Sequence, residues 1–331
     1  MKLLVCIALG VGVLWNPVLA APAQSKGLNL DAVNNADLSS KSVKGVSPVL
    51  VRAQVLLDRL RFSPGIIDGR EGDNLLNAVK AFERARDLDV DGALDDEVWA
   101  KLNEESPAPI LIEYKISGED VKGPFAKEIP EKFEDQAKLD HLGYTGPAEL
   151  LAEKFHMDRD LLEALNPGKR FDRANTVIVV ANVRERPRPD KTSQKVAKIE
   201  IVKSERILRA WAEDGSLIAV YPASIGSEEK PAPEGTYSVR AVAENPSYTY
   251  NPDYAFKGVK ADKKFVIKPG PNNPVGSVWI DLSVDSFGIH GTSEPAKVGK
   301  AYSHGCARLT NWDAEDLAKL VRPGTTVTFL D

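Results

Sequence analysis

Residues 288–309 read GIHGTSEPAKVGKAYSHGCARL. The whole chain has four histidines and two cysteines, and this stretch alone holds His290, His304 and Cys306. A free thiol with a pKa of about 8.5 is only a few per cent thiolate at pH 7. An adjacent imidazole, or a positive charge such as Arg308, lowers that pKa by several units. Gly291 and Gly305 take side chains away from the reactive atoms. Backbone N–H groups around Gly305 and Cys306 can then face a developing oxyanion, and Ser303 can hydrogen-bond within the same cleft. As residue types alone, this set fits a thiol acyltransferase or a peptidase. It also fits a plainer reading, in which a strand histidine is hydrogen-bonded for structure, Gly305 only turns the chain and Cys306 is an inert buried thiol. His141 and His156, far from this cluster, are read as structural. No metal and no cofactor is expected. A structural zinc site takes four ligands, and no CxxC is present; a hydrolytic zinc site takes three, and no HExxH is present.

Outward from this stretch the sequence has a β texture. Ala197–Val202, Leu217–Val220, Tyr237–Val242, Phe265–Ile267 and Val278–Leu282 are short apolar runs punctuated by Gly, Pro and Asn, as in an antiparallel sandwich or barrel. One helix follows the cysteine, with Asn311 or Asp313 as its cap and Leu317, Leu320 and Val321 facing inward. Pro323-Gly324 ends it before a last strand at Thr325–Leu330.

Four segments together carry a family resemblance: PGPNNPVGSVWIDLS (269–283), GIHGT (288–292), VGKAYSHGCARLTNWDAEDLAKLV (298–321) and PGTTVTFL (323–330). With PAPEGTY at 231–237, residues 196–330 resemble the YkuD-type L,D-transpeptidase catalytic domain. The resemblance implies that Cys306 is the nucleophile and His290 the general acid and base. It implies that His304, Gly305, Gly291 and Ser303 line the site, and that Arg308 orders the loop and favours anionic groups. Ala307 departs from the larger aliphatic residue usual in the family, which loosens packing under the loop but removes no reactive group. The implied reaction is attack of the Cys306 thiolate on the third residue of a peptidoglycan tetrapeptide stem, with release of D-alanine and formation of a thioester. An amine from a second stem or from a wall-anchored protein then takes the acyl group. Water in its place would make the site a carboxypeptidase or endopeptidase, and a decayed site would leave a non-catalytic wall-binding protein. Carbapenem-type β-lactams are expected to acylate the thiol.

Upstream, Ser47-Pro48 reads as a helix N-cap and N1 pair, and Val49, Ala53, Leu56, Leu57 and Leu60 form an apolar stripe. Asp73 is the expected cap of a second helix with Leu76, Val79 and Phe82 inward. A third helix carries Leu94, Val98 and Leu102. The turns at Asp68-Gly69 and Asp91-Gly92, with the helix AVKAFERA, make residues 49–102 similar to the three-helix peptidoglycan-binding domain; family members often carry Gln where Glu83 stands. Farther on, LGYTGPAELLAEKFHMDRDLLEALNPGKRFDRANTVIVV (142–180) contains helical patterns at Ala148–Phe155 and Asp158–Leu165 and a β-branched strand at Thr176–Val180. That order is similar to the later part of a LysM glycan-binding module.

The first residues differ again. Lys2 precedes an apolar run from Leu3 to Leu14 and small residues at Ala20, Ala21 and Ala23, the pattern of a secretory signal peptide cleaved after Ala20 or Ala21. The run is too short to span a bilayer, which takes about 20 apolar residues. Cleavage would remove Cys6 and leave Cys306 as a lone thiol, with no internal disulfide in an exported, periplasmic protein.

The expected organisation is therefore a multidomain α+β chain. It comprises a signal peptide (1–21), a flexible leader (22–45), a three-helix peptidoglycan-binding domain (46–103), a connector (104–139), a LysM-like segment (140–183), a linker (184–195) and a mainly β catalytic domain (196–331). Length supports several domains, since 331 residues far exceed the usual 150 or so of one domain. With 48 acidic against 43 basic residues the formal charge is −5, which excludes the basic footprint of a nucleic-acid binder. The expected partners are peptidoglycan stem peptides and glycan strands, with a wall-anchored protein as one possible acyl acceptor. On this reading the small modules act as tethers that raise local substrate concentration. Removing 46–103 would then weaken wall binding and spare turnover of soluble stems.

Overall fold

The structure is a computed structural model and describes residues 27–42, 45–183, 195–226, 231–252, 261–301 and 305–331. The expected signal peptide, most of the expected linker, Ser303 and His304 lie outside these residues.

The N-terminal unit contains helices α1 (Leu30–Asn34), α2 (Pro48–Arg59), α3 (Asp73–Ala85) and α4 (Asp96–Glu105). Ser47 caps α2 by accepting from the Leu50 N–H, with Pro48 in the first turn, where its missing N–H costs nothing. Asp73 is not the cap of α3. Gly72 holds that place without a side-chain bond. The buried stripe is also displaced, with Leu75, Ala78, Val79 and Phe82 inside and Leu76 39% exposed.

The two Asp-Gly turns are held from within the bundle. The Gln54 side chain accepts from the N–H groups of Asp68 and Gly69 and donates to the Asp68 carboxylate. Buried Glu83 accepts the Gly92 N–H at 2.9 and 3.1 Å. Gly69 and Gly92 have φ of +68° and +83°, a region that disfavours residues with a Cβ.

A second small unit follows, built on β1 (Leu111–Lys115), α5 (Phe133–Gln136), α6 (Pro147–Lys154), α7 (Arg159–Leu165) and β2 (Val177–Ala181). Strand β1 lies in the segment expected to be a connector and pairs antiparallel with β2, Tyr114 opposite Ile178. The leader also has a defined element. Helix α1 presents Asn34, whose side chain takes the N–H groups of Ile110 and Leu111 and donates to the Leu111 carbonyl.

The remaining strands are β3 (Lys198–Val202), β4 (Ile207–Trp211), β5 (Leu217–Pro222), β6 (Ser224–Ile225), β7 (Gly235–Glu244), β8 (Tyr248–Tyr250), β9 (Phe265–Ile267), β10 (Val278–Leu282), β11 (Gly288–His290), β12 (Ala307–Arg308) and β13 (Thr326–Leu330). Helix α8 spans Asn311–Leu320. Nine strands join in the order β5-β4-β3-β13-β7-β10-β11-β12-β6, while β8 and β9 form a separate hairpin. The long strand β7 bridges the two halves of the sheet, pairing with β13 along Gly235–Ser238 and with β10 farther on. Leu317 and Leu320 of α8 pack into the core that includes Ile280, Ile289, Ala307 and Val327. Thr310, rather than Asn311 or Asp313, caps α8 by accepting from the Asp313 N–H.

The three units share a core. Leu56, Phe62, Ile67 and Phe82 of the first unit cluster with Met157 and Val180 of the second and with Val202, Ile207 and Val220 of the third. Backbone bonds join the first unit to the third, Ser63 N–H to the Val220 carbonyl and Val220 N–H to the Arg61 carbonyl, both 2.8 Å. The Ile67 N–H donates to the backbone carbonyl of His156 in the second unit at 2.9 Å. Among the described residues, no helix is long and apolar enough to cross a membrane.

Candidate active site

Strand β11 runs between β10 and β12. It is antiparallel to β10, with His290 opposite Trp279, and parallel to β12, with His290 beside Arg308. The imidazole stacks on the Trp279 indole, with ring centroids 5.5 Å apart and planes 21° from parallel. Gly288 lies under that indole, and a Cβ there would come within 2.5 Å of the ring.

His290 is 5% exposed, and its Nδ1 lies 2.6 Å from the Gly291 carbonyl oxygen. A carbonyl only accepts, so Nδ1 carries the proton and Nε2 is the free base in the neutral ring. Burial, followed by the Arg308 charge, pulls the His290 pKa down to about 3, against a smaller opposing effect of the Gly291 bond. The imidazole is therefore a neutral proton acceptor at ordinary pH.

Cys306 sits on the turn that leads into β12 and is half-buried, with Sγ 3.8 Å from the Ser286 carbonyl. Gly305 before it has φ +107°, and a Cβ there would meet the Phe287 ring at 2.8 Å. The glycine is thus required on two counts, conformation and space. Arg308 buries its Nε without a hydrogen-bond partner. Burial lowers the pKa of its guanidinium, with Glu294 and Cys306 opposing the shift.

Cys306, His290 and Arg308 open onto one cleft of about 1120 Å³. Its walls are mainly apolar and aromatic, including Phe133, Tyr248, Trp279 and Phe287. Tyr248 comes from β8, and its hydroxyl pKa is pushed well above the ordinary phenol value by burial, with Cys306 adding to it. Phe133 comes from α5 of the second unit and meets Tyr248 edge to face at 5.6 Å. The segment behind it is tied down. Leu142 N–H donates to the Pro269 carbonyl and Asn272 N–H to the Leu142 carbonyl, both 2.9 Å.

Of the residues singled out from the sequence, Cys306, His290 and Arg308 line the cleft and Gly291 and Gly305 flank it. Ser303 and His304 lie outside the described residues. Sequence reasoning missed the aromatic wall and Phe133 above all, because nothing local marks a connector phenylalanine as a cleft residue. It also took Asn311 for a helix cap. Asn311 Oδ1 instead accepts the N–H groups of Ser277 and Thr292 at 3.1 and 3.0 Å, binding together the loops on either side of β10 and β11. His156 is structural as expected, buried with Nδ1 2.9 Å from Asp58 Oδ1. Among the described residues, no group of three or more His, Cys, Asp or Glu side chains could hold a metal ion.

A thiol and a neutral imidazole at one cleft are the equipment of thiol acyl transfer, and comparisons with known proteins give the family. A family model for the L,D-transpeptidase catalytic domain matches residues 197–329, and one for a peptidoglycan-binding domain matches residues 47–102. The protein named L,D-transpeptidase YkuD in Bacillus licheniformis is 30% identical over 185 residues, covering 54% of this chain and 91% of that protein. The chain belongs to the L,D-transpeptidase family. Its namesake in Bacillus subtilis is 50% identical over 58 residues, covering 18% of this chain and 35% of that protein. Among solved structures, L,D-transpeptidase 3 from Mycobacterium tuberculosis is matched with 19% identity and a TM-score of 0.35, over 48% of this chain and 75% of that one.

Proposed function

We propose that this chain is an exported peptidoglycan L,D-transpeptidase that works through a Cys306 thioester. The observation that carries the reading is the placing of Cys306, on the turn into β12, and a neutral, Nδ1-anchored His290, on the neighbouring β11, at one cleft.

In this reaction His290 Nε2 takes the thiol proton and the sulfur attacks the carbonyl carbon of the third stem residue. The carbon–nitrogen bond to D-alanine breaks as His290 returns the proton to the leaving amine. The acyl group then rests on Cys306 until an amine attacks, loses its proton to His290 and releases the thiol. Gly305 leaves room for the tetrahedral oxygen near the backbone N–H groups of the turn. Arg308 supplies positive charge beside the sulfur and a guanidinium for anionic groups of the stem. His304 and Ser303 are assigned to the lining of the same turn by their place in the motif.

The first unit binds glycan strands in this reading. The second, whose α6, α7 and β2 follow the helix-helix-strand order of the later part of a LysM module, is a LysM-like module. A cleft of about 400 Å³ beside the start of α6, lined by Arg159, Lys169, Arg170 and Phe171, supports a glycan-binding role there.

The reaction is tested by mass spectrometry of the mature protein with a diaminopimelate tetrapeptide, beside Cys306→Ala. A thioester adduct that resolves to a cross-linked dimer with loss of D-alanine is expected. An adduct that yields only free tripeptide would mark a hydrolase, and no adduct would overturn the assignment of Cys306.

A further inference from the structure

The Gly291–Thr292 peptide is held at both ends. Its carbonyl accepts from His290 Nδ1 at 2.6 Å, and its N–H donates to Asn311 Oδ1 at 3.0 Å. Asn311 in turn donates Nδ2 to Glu153, at 2.7 Å to Oε1 and 3.3 Å to Oε2. The Tyr144 hydroxyl donates to the same carboxyl at 3.1 Å. Four groups thus form one unbroken chain from the imidazole to a carboxyl in another unit, because Glu153 belongs to α6 and the imidazole to β11. Each amide in the chain accepts on one side and donates on the other, so polarisation at one end adds along it.

The space around Asn311 leaves no slack. A Cβ on Gly291 would fall 2.2 Å from Asn311 Oδ1, and one on Gly276 2.1 Å away. The chain of contacts is set by close packing as well as by hydrogen bonds. Glu153 is 8% exposed, and burial raises its pKa, with the Asn311 and Tyr144 hydrogen bonds opposing the shift and Glu315 and Glu149 adding to it. A carboxyl in such a place is costly, and a well-packed apolar residue would fill the same volume at lower cost.

We propose that Glu153 is a positioning residue for the active site. Through Asn311 and the Gly291–Thr292 peptide it fixes the His290 ring, with Nδ1 protonated and Nε2 free to take the thiol proton. The inference rests on His290 being the catalytic base of the reaction proposed above. It gives the second unit a part in the chemistry beyond any binding of glycan.

The test combines nitrogen-15 spectra of the His290 ring in the full chain with the kinetics of Cys306 acylation by a diaminopimelate tetrapeptide. Glu153→Gln keeps the shape and replaces one accepting oxygen with an NH2 that cannot accept from Asn311 or Tyr144. It should slow acylation about tenfold with KM within twofold, and move the His290 Nδ1–H proton upfield. Tyr144→Phe, a milder change at the same carboxyl, should move the resonance the same way by less. In an Asn311→Ala background, Glu153→Gln should add nothing. Wild-type ring shifts and kcat in Glu153→Gln would overturn the proposal, as would losses that simply add in the double variant. Should Glu153→Gln be poorly folded, Tyr144→Phe decides alone, an unchanged ring spectrum counting against the proposal. If the ring responds while the wild-type chain forms no acyl adduct, the positioning role stands and the assigned reaction falls.

Discussion

His156 stacks face to face on Trp312, with ring centroids 5.0 Å apart and planes 9° from parallel. The imidazole belongs to the second unit and the indole to the first turn of α8, six residues after Cys306. The edge of the imidazole is held by the first unit, where Asp58 Oδ1 lies 2.9 Å from His156 Nδ1. Two further links reach α8 from the first unit, Ser63 Oγ to Asp313 at 2.9 Å and Arg61 to Asp316 at 3.1 Å. Both small units therefore grip the helix that follows the nucleophile turn.

His156→Ala removes the stack and deprives a fully buried Asp58 of the hydrogen bond at Oδ1. The expected loss is about 2–4 kcal/mol, spread over one cooperative transition. Calorimetry checks this, and separate transitions for the units would contradict it.

Deletion of residues 46–103 now carries a different expectation from that of a tethered binder. It uncovers Val202, Ile207 and Val220, which are at most 4% exposed in the whole chain, and each such side chain contributes about 1.5–3 kcal/mol by burial. The truncated chain should lose turnover of soluble stem peptides together with wall binding. Turnover and melting temperature of the truncated protein measure this directly, and full activity on soluble stems would restore the tether picture.

Phe133→Ala opens the cleft wall opposite Tyr248 without touching Cys306 or His290. KM for the tetrapeptide should rise about tenfold, as for the loss of an aromatic contact of about 1.5 kcal/mol, with kcat within twofold. Steady-state kinetics separate the two constants.

Gly291→Ala places a methyl group against Asn311 Oδ1. The Thr292 N–H bond should break and acylation should fall at least tenfold, while secondary structure by circular dichroism stays as in the wild type.

The pH dependence of stability follows from Glu153, whose pKa is raised by burial from 4.5 to about 8. Below pH 4.5 the carboxyl is neutral in both states, so the folded state bears no penalty. As pH rises from 4.5 to 8 the unfolded chain ionises first, and stability is lost across that window, by up to a few kcal/mol. Denaturant titrations from pH 5 to 9 should show this slope in the wild type and a flatter line in Glu153→Gln.

Much of this was legible in the sequence because it is local. The His-Gly and Ser-His-Gly-Cys signatures marked the site, the 3.6-residue stripe marked α2, and β-branched runs marked β3, β5, β10 and β13. What escaped depends on distant partners. Strand β4 carries Arg209 and Trp211 within five residues, and its pairing with β3 and β5 is what makes it a strand. Strand β1 was hidden in a polar connector because its partner, β2, lies more than sixty residues on. Asn311 and Asp73 looked like caps by residue type. Their places were decided by tertiary demand for the Asn311 amide and by Gly72 turning the chain before α3. Glu153, on an ordinary amphipathic helix, gave no sign of the four-group chain it closes.

The backbone bonds from Arg61 and Ser63 to Val220 fall on β5, the terminal strand of the nine-stranded sheet. An open strand of this kind, running Leu-Ile-Ala-Val-Tyr, is a template on which another chain can add. The first unit occupies that site with its own backbone. The edge is thereby capped at Val220, a covering role that the unit has whether or not it binds glycan.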